Sequence, residues 1–362
     1  MTKFALGLMS GTSADGLTVC AVRIKPFKIM HFKNYAYPRA LQQKLLTAFT
    51  LKAPQISELH YELGKLYAQT VQKFLKDFHL SAKDIQVIGS HGQTIYHGPH
   101  DKTPNTLQIG EPSFLAEQLN CPVVSDFRAM DIALGGEGAP LIPFFDEYLF
   151  GKKEPSILLN IGGISNLSVV GKNIKTIGFD IGPGNTLMDL ICQEQFKKPF
   201  DKNGRLAARG VPDKKWVQTL LKQSFFTKKP PKSLDKNDFG KKYLTRYFAP
   251  QKFKTPYDRL STATYFTAAA IAQAVQKFVP LKARQKMWVS GGGCYNQTLL
   301  TYLQTLLPHT SVLPLSAAGI DPHAKESAAF ALLAYLALHK QKNHCAYATG
   351  AYKTTVLGKV IL

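Results

Sequence analysis

Phe4-Ala-Leu-Gly-Leu-Met-Ser10, then Gly11-Thr-Ser-Ala-Asp-Gly16, then Leu17-Thr-Val-Cys-Ala-Val-Arg-Ile24 stand in succession near the start of the chain. The outer runs are apolar and of strand length. The turn between them gathers Gly, Ser, Thr and Asp, the residues that tolerate tight backbone. Asp15-Gly16 is expected to supply the positive φ values of a hairpin turn. About 150 residues later the same form returns as Ser156-Ile-Leu-Leu-Asn-Ile161, Gly162-Gly163-Ile-Ser-Asn166 and Leu167-Ser-Val-Val170, with Gly162-Gly163 expected to turn in the same way. Two hairpins this far apart predict two similar halves rather than a short-period repeat.

The segments around them fit that plan. Gln42–Phe78 carries apolar residues at helical spacing (Leu45, Phe49; Leu63, Leu66, Val71, Phe74, Leu75), and Ile85–Ile88 reads as a strand opening into Gly89-Ser-His-Gly-Gln-Thr94. Thr176–Asp180 reads as a strand that ends in Ile181-Gly-Pro-Gly-Asn185. A helix should follow, started by Pro183 and Asn185 and packed through Leu187, Met188, Leu190 and Ile191. Later come an Ala-rich helix at Ala263–Phe278, a strand at Lys286–Val289 entering Ser290-Gly-Gly-Gly293, and a buried helix at Ala324–His339. Strands alternating with helices make the class α/β. The expected division is a first lobe over 1–130, joined by a C-terminal segment of about 340–362, and a second lobe over 131–339.

Composition narrows the function. The 362 residues are 45% hydrophobic and 11% aromatic, enough for real cores and unlike a disordered acidic chain. The formal charge is +21, and residues 197–256 hold 17 of the 45 basic side chains but only 4 of the 24 acidic ones. That stretch, with its paired lysines, reads as an irregular insertion with a solvated face, or as a face that attracts an anionic small substrate or a polyanion. No zinc-finger spacing, RNA-recognition motif or basic heptad accompanies it, so no nucleic-acid partner is expected. Five scattered cysteines without a C-x-x-C pair argue against a disulfide scaffold or zinc ribbon and for a reducing compartment. The longest apolar run, Ala328–Leu338, is about half of the roughly 20 residues a membrane helix needs. A soluble cytoplasmic protein is expected, with no membrane partner.

Three glycine-rich turns each follow a strand: Gly11–Gly16, Gly162–Asn166 and Gly291–Gly293. Small residues there let backbone N–H groups approach phosphate oxygens; any one such turn is more simply an ordinary hairpin turn, but three of them at strand ends favour a phosphate site. Thr12 and Ser13 add hydroxyls, and Asp15 suits a hydrated magnesium ion. Neither G-x-x-x-x-G-K-[ST] nor G-x-G-x-x-G is present, so a nucleotide would be held by hairpins of two halves closing over a cleft. Asp180, uncrowded before Gly-Pro-Gly, suits a general base, or it caps the next helix. His91 and His97 read as loop imidazoles in hydrogen bonds rather than a metal pair. Arg128 could fork onto a substrate carboxylate or pair with Asp126 or Asp131. Glu326 stands at a helix start, where a negative residue is favoured in any case.

Seven ordered blocks resemble the anhydro-N-acetylmuramic acid kinases. They are Gly7–Gly16, Gly89–Thr94, Ser125–Arg128, Gly135–Leu141, Leu159–Asn166, Phe179–Asn185 and Ser290–Gly293. The resemblance runs from residue 4 to about 335. It implies the duplicated actin/hexokinase-like (ribonuclease H-like) fold, with ATP in the interlobe cleft. It further implies ATP contacts from Gly11, Thr12, Ser13, Ala14, Asp15, Gly16, Leu17 and Thr18, from Gly162 and Gly163, and from Gly291, Gly292 and Gly293 on the adenosine side. Mg2+ should accompany ATP, with Asp15 as its carboxylate, directly or through water. Asp180 would activate the water that attacks the anomeric carbon, while the released bridge oxygen takes the γ-phosphoryl group. His91, Gln93, Arg128 and Glu326 fall where sugar contacts are expected, and a homodimer is expected. Ala14, Asp146, Ile181 and Cys294 depart from the usual pattern. The rival expectations are a kinase or phosphatase of the same superfamily acting on another sugar or acid, a chaperone-like nucleotide-gated binding protein, and, weaker than both, a nucleic-acid binder using the Lys-rich stretch. The open setting of Asp180 speaks against the second.

Overall fold

Two glycines side by side decide where the last long helix lies. In the computed structural model, Gly7 on the first strand is in register with Gly89 on the fourth. A Cβ at Gly7 would stand 1.8 Å from the Ser327 carbonyl oxygen, and one at Gly89 would stand 2.2 Å from that of Phe330. The backbone of helix Lys325–Leu338 therefore rests directly on these two strands. The structure describes residues 3–11, 13–174, 176–230, 232, 234, 238–279 and 285–362. Thr12 lies outside the described residues.

The chain forms two units, residues 1–145 with 324–362 and residues 146–323. The first holds β1 (Phe4–Ser10), β2 (Gly16–Arg23), β3 (Lys28–Ala36), β4 (Ile85–Gly98), β5 (Asn105–Ile109) and β6 (Val123–Ser125). The first three form an antiparallel meander. β4 joins β1 in parallel, β6 joins β4 in parallel, and strand Lys359–Ile361 closes the edge. Side chains alternate across β1. Phe4, Leu6 and Leu8 meet helix Ala53–Asp77 through Leu59, Leu63, Tyr67, Val71 and Phe74, while Gly7 turns to helix Lys325–Leu338.

The second unit repeats the plan with β7 (Ser156–Ile161), β8 (Ile164–Val170), β9 (Ile177–Pro183), β10 (Gln285–Ser290) and β11 (Thr310–Pro314). Its order β11-β10-β7-β8-β9 matches β6-β4-β1-β2-β3, with the same antiparallel meander and the same two parallel additions. This is the duplicated, mixed-sheet plan of the actin/hexokinase-like fold. Helix Pro256–Phe278 packs its Ala-rich length into the core of this unit.

Several expectations change. The boundaries expected at 130 and 339 fall at 145 and 323, because helix Lys325–Leu338 is bound to β1 and β4. The positive φ of the first turn falls on Ala14 (47°), not on Asp15 or Gly16, and neither Gly162 nor Gly163 adopts one. Residues 197–256 are no mere insertion: Val217, Phe226 and Leu244 are buried in the core of the second unit on the short helices Lys214–Leu220, Ser224–Thr227 and Lys241–Tyr247, and Phe239 and Phe248 join them from either side of the last. The paired lysines of the stretch do face solvent. All five cysteines are buried and none forms a disulfide. No helix of the described residues is long and apolar enough to cross a membrane.

Candidate active site

In the first unit the turn after β1 is held from inside. Ala14 donates to the Gly11 carbonyl (3.0 Å), and Ala14 itself is buried. Gln93, on β4, donates its amide to the Gly11 and Thr94 carbonyls (3.1 and 3.2 Å) and accepts from Ser10 Oγ (2.5 Å). Gln93 is buried and its amide is committed to these bonds, so it braces the turn rather than meeting a ligand. Ala14 and Leu17 point into the core and leave only backbone to offer. Thr18 bonds Asn34. Gly11, Ser13 and Asp15 are the accessible part, with Ser13 Oγ donating to Asp15 Oδ1 (3.1 Å). A lone exposed carboxylate beside a hydroxyl fits a hydrated Mg2+ that arrives with phosphates; among the described residues no protein cage for a metal exists.

Two residues earlier on β4, His91 is buried with both ring nitrogens engaged. Its Nδ1–H donates to the Gly92 carbonyl (2.8 Å) and its Nε2 accepts from Arg128 Nε (3.0 Å). Burial, and then the Arg128 charge, push the imidazole down to about 3, so it stays neutral. Arg128 also donates Nη1 to the Gly138 carbonyl (2.7 Å). Neither salt bridge expected for Arg128 forms, since Asp126 pairs with Lys359 and Asp131 with His344. Burial lowers the Arg128 guanidinium to about 10, against the opposing pull of Glu326 and Asp131. Glu326, the second residue of its helix, keeps an exposed surface, yet burial raises its carboxyl against Lys325 and Arg128. Arg128 and Glu326 thus feel each other, and three of the five guanidinium N–H groups remain for other partners.

The second unit gathers all three of its predicted features at one place. Gly184, Asn185 and Thr186 donate backbone N–H to the carbonyls of Gly163, Gly162 and Gly163 (2.9, 2.7 and 3.3 Å). Asn185 Nδ2 donates to Ile161 O at 3.0 Å, so this residue clamps the hairpin instead of capping with its side chain. Gly291 has φ 78°, and a Cβ there would meet Ile161 O at 2.6 Å; one at Gly293 would meet Ile161 Cγ2 at 2.3 Å. The β7–β8 turn, the Gly182–Asn185 turn and the Gly291–Gly293 turn therefore meet around Ile161 and Asn185. Gly163 and Gly292 are exposed there, giving a floor of bare backbone.

Asp180 lies on β9 opposite Asn166, beside a break in the β8–β9 register. Its strand does not end with it but runs on to Pro183. Nor is its carboxylate uncrowded: Leu234 N–H donates to Oδ2 (2.9 Å), and Asp180 N–H donates to the Lys232 carbonyl (3.0 Å). Lys232 anchors that contact, its ammonium donating to Phe225 O (3.0 Å) among the rings of Phe179, Phe225 and Phe278. Desolvation lowers this ammonium to about 8, with Lys228 and Lys277 adding to the effect. A half-buried carboxylate with one oxygen fixed by an amide has a set orientation, which a general base requires. The Leu234 contact had no signal in the sequence, because a backbone amide from 54 residues away carries no residue type.

Comparison with known proteins gives these features a context. The family model for anhydro-N-acetylmuramic acid kinase matches residues 3–362. Relatives bearing that name share 37% identity in Caldanaerobacter subterraneus subsp. tengcongensis, over 99% of this chain and 97% of the relative. In Bacillus cereus the identity is 35%, over 99% and 98%. In Coxiella burnetii it is 37%, over 98% and 96%. The chain belongs to the anhydro-N-acetylmuramic acid kinase family.

Proposed function

We propose that the protein is an ATP-dependent kinase that opens 1,6-anhydro-N-acetylmuramic acid with water and phosphorylates it to N-acetylmuramate 6-phosphate, a step of cell-wall recycling. The observation that carries this reading is family membership over the whole chain, joined to an oriented Asp180 in the unit that holds the Gly163 and Gly292 floor. Asp180 takes a proton from water as its oxygen bonds the anomeric carbon. The bond from that carbon to the bridging oxygen breaks, and the released oxygen takes the γ-phosphoryl group as ADP leaves. The two halves assist each other, since transfer of the phosphoryl group stabilises the leaving oxygen.

The glycine turns contribute backbone N–H groups to the nucleotide, and Asp15 would hold a hydrated Mg2+, which would supply neutralisation of the phosphate charge. Arg128 and Glu326 contact the sugar: the guanidinium forks onto the acid group and the carboxylate receives a hydroxyl. His91 and Gln93 act one step back, the first directing Arg128 and the second bracing the Gly11 turn. A homodimer and a cytoplasmic location belong to the same reading and rest on the family resemblance. The test is the mass of the product formed from ATP, Mg2+ and the anhydro sugar. Gain of one water and one phosphoryl group is expected; a phosphorylated product that keeps its anhydro ring, or ADP formed without sugar, overturns the reading.

A further inference from the structure

Asp131 is fully buried, and the bonds to its carboxylate come from a distant part of the chain or from the loop it controls. Thr349 Oγ1 and His344 Nε2 both donate to Oδ1 at 2.5 Å, and Gly138 N–H donates to Oδ2 at 2.6 Å. Burial works against the charge, but these three donors hold the carboxyl below its usual range. A Cβ on Gly136 would lie 2.4 Å from the carboxylate, so the Gly135–Gly138 turn wraps it closely. The C-terminal segment grips the same turn by backbone, Glu137 N–H to Thr349 O (2.8 Å) and Tyr352 N–H to Leu134 O (3.0 Å). The turn in turn presents the Gly138 carbonyl to Arg128 Nη1.

One atom sets this arrangement apart from ordinary packing. His344 Nδ1 is buried with no hydrogen-bond partner among the described residues. An apolar side chain would fill such a place without leaving a polar nitrogen unmatched. Keeping an imidazole there makes sense for the bond its other nitrogen makes to Asp131.

We propose that residues 343–350 brace the sugar-binding arginine: Thr349 and His344 orient Asp131, Asp131 fixes the Gly135–Gly138 turn, and that turn with His91 sets the direction of Arg128. Asp131, His344 and Thr349 are positioning residues, acting through Arg128 without touching substrate. The inference rests on the reading of Arg128 as a sugar contact. A guanidinium held at two of its N–H groups presents the other three in one direction, and loosening it weakens a bidentate contact without removing charge.

The test uses the whole enzyme with Asp131→Asn, Thr349→Val and the conservative Thr349→Ser. Two readouts are taken: the ring nitrogen resonances of His91 by 15N NMR, and KM for sugar and for ATP. In the parent, His91 Nε2 accepts from Arg128. Asp131→Asn and Thr349→Val should shift that resonance and raise the sugar KM about tenfold with the ATP KM unchanged, and Thr349→Ser should restore both. An unmoved His91 resonance overturns the brace, as does a rise in both KM values together. A shifted resonance with constant sugar KM also overturns it, and Arg128→Ala then reports whether the reading of Arg128 falls with it. Thr349→Val keeps the test decisive if Asp131→Asn fails to fold.

Discussion

Replacing Gly7 with alanine would put a methyl carbon 1.8 Å from the Ser327 carbonyl oxygen and 2.7 Å from the Ala331 amide nitrogen, both backbone atoms of helix Lys325–Leu338. No rotamer change relieves such contacts. The helix must withdraw by about 1.5 Å to restore van der Waals separation. Withdrawal also opens the contact of Phe330 with Gly89, so overpacking at one strand becomes a void at the next. Overpacking of this kind costs about 3 kcal/mol, at the upper end of its usual range. For a unit of this size that corresponds to a Tm lower by about 6–12 °C, read by thermal melting followed by circular dichroism. The same helix carries Glu326 in its first turn, so the sugar KM should rise in the surviving folded enzyme. A Gly7→Ala protein that melts within about 2 °C of the parent would refute the packing argument.

Gly11→Ala makes the opposite case, since a Cβ there meets only Ser13 Oγ at 3.9 Å; stability should stay within about 0.5 kcal/mol while the ATP KM rises, and equal melting with unchanged ATP KM would remove Gly11 from the nucleotide site. Gln93→Leu strips the Gly11 turn of its amide brace and leaves the half-buried Gly11 and Thr94 carbonyls without that donor, so the ATP KM should rise about tenfold and the sugar KM hold, as steady-state kinetics will show. Burial pushes Asp189 up to about 7. The folded chain therefore keeps a proton that the unfolded chain loses near 3.8, and stability falls as pH rises between those values. Asp189→Asn should flatten that part of the profile, checked by melting at pH 5 and pH 8.

Much of this was legible in the sequence for a physical reason. Strand–turn–strand units with Gly, Ser and Asp turns announce themselves locally, and both hairpins lie where Phe4–Ile24 and Ser156–Val170 place them. The last helix was legible as an element but not by its attachment, because an all-apolar surface shows no preferred face. Residues 197–256 read as irregular because their helices span only four to seven residues, too short to display a period. At the site, residue types pointed to Asp180, Arg128 and the glycine turns. They could not show that His91 and Gln93 face inward, since either side chain serves ligand and scaffold equally well. Asp131 was visible only as a possible partner of Arg128. Its true partners, His344 and Thr349, lie more than 200 positions away.

In the proposed reaction Asp180 activates water, and ring opening is coupled to phosphoryl transfer. Its most direct measurement is ADP and sugar phosphate formed side by side by the parent and by Asp180→Asn, at saturating ATP and Mg2+. Equal amounts of both are expected from the parent, with no ADP in the absence of sugar, and the variant should be slower by about 10²–10⁴-fold while still binding ATP. A variant within tenfold of the parent, or ADP released at the same rate whether or not sugar is present, would contradict it.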